Sequence, residues 1–314
     1  MHHRAFDYST FPGRWGTPIG GAIAALLFLA AGHLGAHFHP RAALALLITG
    51  AAAIGASAWW LGRRGVLDLQ LGRLRGNNLS ATRGEPTIWL VAHLDSKSQP
   101  VPIGVRAVAI IAAMILWAAA VSLAAAQLMR APLEALWMPV TILGVLTAIP
   151  VVLTTVGANS PGALDDASGV ATVLRAAQLL PREFALGVLL TSAEELGLAG
   201  ARAWAREATP ARAINVDGVD DRGELRLIFS GRKPRSLIAM LSRGWPSPTR
   251  LLPGVLMDGV ALADAGWEVV NISKGSWRTV SRIHTPLDSL AQLEGSGAEE
   301  VATMIAGAII ASRR

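Results

Sequence analysis

Five side chains of metal-ligating type stand at the ends of expected strands or in loops. They are His93 in VAHLDS, Asp165 in PGALDDASG, Glu195 in TSAEELG, Asp217 in INVDG and His284 in IHTPLDS. Zinc accepts imidazole nitrogen and carboxylate oxygen, and a catalytic zinc site keeps one position open for water. Two ions about 3.5–4 Å apart clamp both the attacking and the leaving oxygen of a displacement. Glu194 adjoins one of these residues and is placed to act as a base. The set, in its local contexts, points to the metal-assisted hydrolysis of a metallopeptidase.

Taken singly, each residue also has a plainer reading. His93 and Asp95 lie two apart at a strand end and so point to the same side. A ligating histidine usually gives its other ring N–H to a carboxylate, and Asp95 is the expected partner. Asp165 and Asp166 precede SGVATVL. Asp166 or Ser168 can cap that helix, which leaves Asp165 free to bridge two cations. Glu194 and Glu195 end an apolar strand, where paired acids are costly unless a cation or a donor meets them. One is expected to bind metal and the other to carry the proton from the attacking water to the leaving amine. Asp166, Asp220, Asp221 and Asp288 read as structural or surface residues.

The elements that must position these groups read as α/β. TIWLVAHLD, FALGVLLTS, ARAINVD, LRLIFS and WEVVNIS are expected strands. SGVATVLRAAQLL, AGARAWAREA, a segment near Ser236–Ser242 and GAEEVATMIAGAIIA are expected helices. Strands alternating with helices predict a mixed, largely parallel sheet between helices. The last helix is too short to cross a bilayer and is expected to pack on the sheet.

Composition adds a second theme. The chain has 314 residues, 52% hydrophobic and only 16% charged, with no cysteine. Disulfides and thiolate metal sites are therefore excluded. Four apolar stretches, Ile19–Ala36, Ala42–Leu61, Val105–Met129 and Ala135–Val156, predict about four transmembrane helices. The first also has features of a signal-peptide core, but its short link to the second favours a retained helical hairpin. The expected organisation is an N-terminal transmembrane hairpin over 1–62, the first part of a catalytic domain over 63–104, an inserted transmembrane hairpin over 105–156, and the main catalytic part over 157–314.

The net charge is +6, but the basic residues cluster beside the apolar segments, so no nucleic-acid partner is expected. Arg4, Arg14, Arg63, Arg64, Arg73, Arg75, Lys97 and Arg106 flank one side of the spans; Arg41 and Arg130 stand on the other. That asymmetry puts the catalytic domain on the cytoplasmic side of a membrane, expected to be a bacterial inner membrane. Both tethers of the inserted hairpin are short. An extended chain covers at most about 3.3–3.6 Å per residue, so the site is expected near the bilayer surface. His33, His37 and His39 sit at an expected membrane edge, and no phosphate-binding loop or nucleophile elbow is present.

The motifs AHLDS, GALDDASGVA, TSAEELGLAGA, INVDG and IHTPLDSL together resemble those of the co-catalytic zinc aminopeptidases. That family includes bacterial leucine aminopeptidases, glutamate carboxypeptidase II and glutaminyl cyclases. The resemblance covers about 87–96 and 157–295. It implies two zinc ions: His93 and Asp217 on one, Glu195 and His284 on the other, Asp165 bridging, Glu194 as general base and Asp95 behind His93. It implies an aminopeptidase that removes N-terminal residues from short peptides by metal-activated water; the lipid bilayer is expected as a second partner from the four apolar stretches, which lie outside the resemblance. A single-zinc glutaminyl cyclase-like enzyme and a non-catalytic membrane scaffold are the alternatives. Two departures stand out. MDGVALADAG keeps Asp258 but has Gly259 where many relatives carry histidine, and the hairpin over 105–156 is an addition.

Overall fold

The computed structural model describes residues 1–241, 244–252 and 254–312. Its strands are β1 (His2–Ser9), β2 (Arg73–Arg83), β3 (Ile88–His93), β4 (Leu186–Thr191), β5 (Arg212–Val219), β6 (Glu224–Phe229), β7 (Thr249–Arg250) and β8 (Glu268–Gly275). Its α-helices begin with α1 (Phe11–Ala36), α2 (Pro40–Trp60), α3 (Val66–Asp68), α4 (Ile103–Leu128) and α5 (Trp137–Val152). They continue with α6 (Ser168–Leu179), α7 (Ala199–Glu207), α8 (Arg235–Met240), α9 (Asp258–Asp264), α10 (Trp277–Arg282) and α11 (Ser296–Ala311). Two compact units result. Met1–Thr10, Val66–Ser98 and Gly157–Arg314 form one; Phe11–Gly65 and Gln99–Val156 form the other.

The first unit is built on one eight-stranded sheet, ordered β1-β2-β4-β3-β5-β8-β6-β7. The neighbours β4, β3, β5 and β8 run parallel. β1, β2 and β6 add antiparallel pairings toward the edges. This is the mixed, largely parallel sheet expected from the sequence. β3 and β4 are buried along their whole length, as strands covered on both faces must be. Alternate residues of β3 serve opposite faces. Leu90 packs in a core with Val173 of α6, Leu237 of α8 and Val301, Ile305 and Ile309 of α11. Trp89 and Val91 pack with Trp204 of α7 and Leu262 of α9. The ring centroids of Trp89 and Trp204 lie 5.2 Å apart, edge to face, a favoured aromatic geometry. The apolar α11 thus packs on the sheet, as its length required.

Three strands escaped the sequence reading: β7, which is only two residues long, and β1 and β2, for physical reasons. The buried residues of β2, Asn78 and Ser80, are polar, so it shows no apolar alternation. β1 is mostly exposed and lies within the stretch 1–62 that was expected to be a hairpin. It pairs with β2 in antiparallel register from His2↔Ser80 to Ser9↔Arg73. The expected helix near Ser236–Ser242 is α8, which ends at Met240; Ser242 lies outside the described residues.

The second unit is helical. Among the described residues, four helices are long and apolar enough to cross a membrane: Phe11–Ala36, Pro40–Asp68, Ile103–Leu128 and Glu134–Val152. Phe28, Leu47, Leu123 and Trp137 anchor its core. Glycines let α1 and α5 approach closely, the usual device of helix pairs in lipid. A Cβ at Gly144 would lie 2.5 Å from the Phe28 ring, and one at Gly35 would overlap Trp137. Gln127 ties three helices together: it accepts from Trp137 Nε1 at 2.7 Å and donates to the Gly35 carbonyl at 3.3 Å.

Candidate metal centre

The candidate residues gather at the carboxyl ends of the parallel strands, where open α/β sheets place their ligands. His93 ends β3, Asp217 lies near the end of β5, and Glu194 and Glu195 follow β4. Asp165 sits in the turn before α6 and His284 in the loop after α10. Each of two groups, His93–Asp165–Asp217 and Asp165–Glu195–His284, brings one ligand atom per residue within 4.8 Å of the others. Asp165 belongs to both. Its Oδ1 lies 3.0 Å from His93 Nε2, and its Oδ2 lies 3.0 Å from His284 Nε2. His284 Nε2 is also 3.0 Å from Glu195 Oε1. All five residues expected to bind metal are therefore together, with Glu194 beside them and buried. Among the described residues, His33 and His37 belong to no such group; their rings lie 4.3 Å apart in the helical unit.

Backbone hydrogen bonds hold this arrangement. Asp166 Oδ2 accepts the His93 N–H at 3.1 Å, and its Oδ1 accepts Gly218 N–H at 3.0 Å and Gly169 N–H at 3.1 Å. One carboxylate thus caps the start of α6 and links the ends of β3 and β5. Asp288 accepts the N–H groups of Leu164 at 2.5 Å and Asp165 at 3.2 Å. Gly162 precedes them with φ +72°, and a Cβ there would come within 2.6 Å of Ser96. His284 has φ 63°, a conformation uncommon outside glycine. Just before it, Thr279 and Arg282 both donate to Asp220.

Asp95 acts differently from the sequence expectation. His93 Nδ1 reaches the Asp95 main-chain oxygen at 3.0 Å, whereas the carboxylate is 3.7 Å away. The carboxylate instead accepts the N–H groups of Glu194 and Glu195. The ring is oriented by Asp95, but through the backbone. Asp258 is buried and accepts from Thr191. A Cβ at Gly259 would overlap the Asn271 side chain, so any larger residue there requires Asn271 to move. Sequence reading passed over Lys97 as a membrane-flanking charge; its ammonium is bound to Glu195 Oε2.

The electrostatics fit a cation site. Burial pushes the carboxyls of Glu194 and Asp166 well above the ordinary range, and it lifts Asp217 to about 7. Asp165 goes the other way: against its burial, His284 and His93 hold it well below that range. Burial opposes charge on His93, yet Asp166 and Glu194 carry its pKa well above the usual imidazole value. His93 Nε2 and Glu195 Oε1 are buried without hydrogen-bond partners, which is costly unless something else meets them. A divalent cation in each group would do so, and an all-nitrogen-and-oxygen donor set suits zinc.

This fold and site define a metallopeptidase-type α/β domain. The model of peptidase family M28 matches residues 150–309, just over half of the chain, and the chain belongs to that family. Among solved structures, a glutaminyl cyclase from Porphyromonas gingivalis matches with TM-score 0.50 and 14% identity, over 92% of this chain and 98% of that one. An aminopeptidase from Aneurinibacillus sp. strain AM-1 matches with TM-score 0.48 and 18% identity, over 76% of this chain and 49% of that one. A zinc aminopeptidase from Bacillus subtilis gives TM-score 0.45 and 17% identity, over 77% and 51%. The chain thus spans about half the length of those aminopeptidases. No match was found among curated protein sequences.

Proposed function

We propose that this chain is a membrane-bound, zinc-dependent aminopeptidase that removes N-terminal residues from short peptides. The observation that carries the reading is Asp165, whose two oxygens face two separate donor groups 3.0 Å from a histidine on each side. A carboxylate so placed suits a bridge between two metal ions. His93 and Asp217 would complete one position, Glu195 and His284 the other. Metal ions held there supply Lewis acidity and lower the pKa of a water. Glu194 is not needed as a ligand. Its carboxylate takes the proton of the attacking water and returns it to the leaving amine. Asp95 holds the turn that carries Glu194, and Asp166 and Asp288 hold the backbones of His93 and Asp165.

The same reading assigns 63–104 and 157–314 to the catalytic domain, with the α1–α2 hairpin of the stretch 1–62 and the hairpin over 105–156 in the bilayer. It adds β1 to the catalytic sheet. Cleavage after the first apolar helix would remove β1 and leave one edge of β2 unpaired, which supports a retained span. Two spans return the chain to the side it left. The Lys and Arg distribution supports a cytoplasmic N-terminus and catalytic domain.

Zinc per chain in the purified, detergent-solubilised protein tests the reading, together with release of free amino acids from a peptide library. Two ions and N-terminal cleavage are expected. One ion with cyclisation of N-terminal glutamine would favour a glutaminyl cyclase-like enzyme, and no bound ion a scaffold.

A further inference from the structure

Lys97 has no part in the reaction described above, yet it is built into the site. Its side chain is 16% exposed and its ammonium donates to Glu195 Oε2 in an ion pair. The other oxygen, Oε1, is buried with no hydrogen-bond partner. It lies 3.0 Å from His284 Nε2, which is itself 3.0 Å from Asp165 Oδ2. The two oxygens of a carboxylate are chemically equivalent, and rotation of the last side-chain bond exchanges them. Lys97 breaks that equivalence.

The segment that carries Lys97 is anchored on both sides. Ser96 Oγ donates to the Ser160 carbonyl at 3.0 Å. Ser98 and Gly157 exchange backbone hydrogen bonds of 3.0 and 2.8 Å. At the other end, the Glu195 N–H is held by Asp95 Oδ2 at 3.1 Å. Glu195 is thus gripped at its backbone by one residue and at one carboxylate oxygen by another.

We propose that Lys97 is a positioning residue that holds Glu195 by Oε2 and presents Oε1 alone to the metal position shared with Asp165 and His284. The inference rests on the two-metal reading. Two opposed effects make it testable. A nearby cation repels a metal ion, so removing pure charge would tighten binding. Orientation of a ligand strengthens binding, so removing it loosens one site.

The test is a zinc titration of the full-length protein in detergent against a chromophoric chelator, for wild type, K97M and K97R. In K97M one of the two ions should bind about 10–100-fold more weakly, the usual cost of losing a group that orients a ligand, while the other changes by less than about threefold. K97R, which keeps a charged donor, should recover most of the loss. Cobalt in place of zinc should show an altered visible spectrum in K97M, because Glu195 is then free to offer both oxygens. Unchanged affinities in K97M overturn the inference, as does tighter binding or equal weakening of both ions. K97A carries the same expectation if K97M does not fold. Wild-type protein that binds fewer than two ions overturns the two-metal reading and this inference with it; two ions in wild type with an unchanged K97M overturn this inference alone.

Discussion

The Glu194 N–H donates to Asp95 Oδ1 at 3.0 Å, so a side chain from the loop after β3 fixes the backbone of the acid after β4. The second oxygen takes the Glu195 N–H at 3.1 Å. Ala193, just before, has φ 57°, so this turn departs from ordinary backbone where the two acids diverge.

Asp95→Ala removes both acceptors. Two backbone donors then lose their partner, at a cost of about 1–3 kcal/mol each where water does not replace it. The expected result is a lower melting temperature and kcat/KM reduced by about 10–100-fold. Asp95→Asn, which keeps one acceptor, should fall between. A folded Asp95→Ala protein with wild-type turnover would show that the clamp is dispensable.

Glu194→Gln should keep both metal ions and lose about two to four orders of magnitude in kcat, the usual contribution of a placed proton-transfer group. Asp165→Ala should instead lose metal content, because both donor groups share that carboxylate. Near-normal turnover in the first variant, or full metal in the second, contradicts the assigned roles.

These features differ in how legible they were beforehand. His93, Asp165, Glu195, Asp217 and His284 could be found because each sits in a short motif; three lie at or near the ends of parallel strands, and Asp165 and His284 lie in loops that meet them there. The grip on the ligands was harder to foresee. Asp166 and Asp288 stand in the same motifs, but nothing local says that one reaches the His93 N–H and the other the Leu164 and Asp165 N–H groups. Lys97 was hidden because a basic residue before an apolar helix already has a membrane explanation. β2 was hidden because it buries Asn78 and Ser80 rather than aliphatic residues. Asn78 is engaged across the sheet: it donates to the Gly200 carbonyl at 2.8 Å and accepts the Ser192 N–H at 3.1 Å.

Stability should also depend on pH through Asp221. Burial raises its pKa, but the N–H groups of Gly297 and Glu294 and the Ser296 hydroxyl together outweigh that and hold the carboxyl below its ordinary value. A carboxyl lowered in the folded state contributes stability above its unfolded pKa of about 3.9 and loses it as pH falls toward the folded value. Asp221→Ala should cost about 1 kcal/mol at neutral pH, as loss of a helix-start acceptor does. The gap in melting temperature between the variant and wild type should close as pH falls below about 4. A gap that stays constant from pH 7 to pH 3 would count against this role.

Membrane orientation is directly measurable. A reporter fused after Arg314, a residue outside those described, should read as cytoplasmic, and one inserted between His39 and Arg41 as external. An external C-terminus would move the catalytic domain to the opposite face without altering its chemistry.

The strand order has a consequence for biosynthesis. β4 lies between β2 and β3, yet it is made after both and after the α4–α5 pair. While the ribosome is still translating those helices, β2 carries one edge with no neighbour and β3 carries two, since β5 also follows. Open edges of this kind recruit strands from other chains, and long-range pairing of this type is slow. The nascent protein must therefore keep three strand edges, one of β2 and both of β3, apart from foreign partners while α4 and α5 are made. Leu186–Thr191 closes the β2 edge and one edge of β3, and Arg212–Val219 closes the other, so a ribosome stalled before these points would leave an aggregation-prone product.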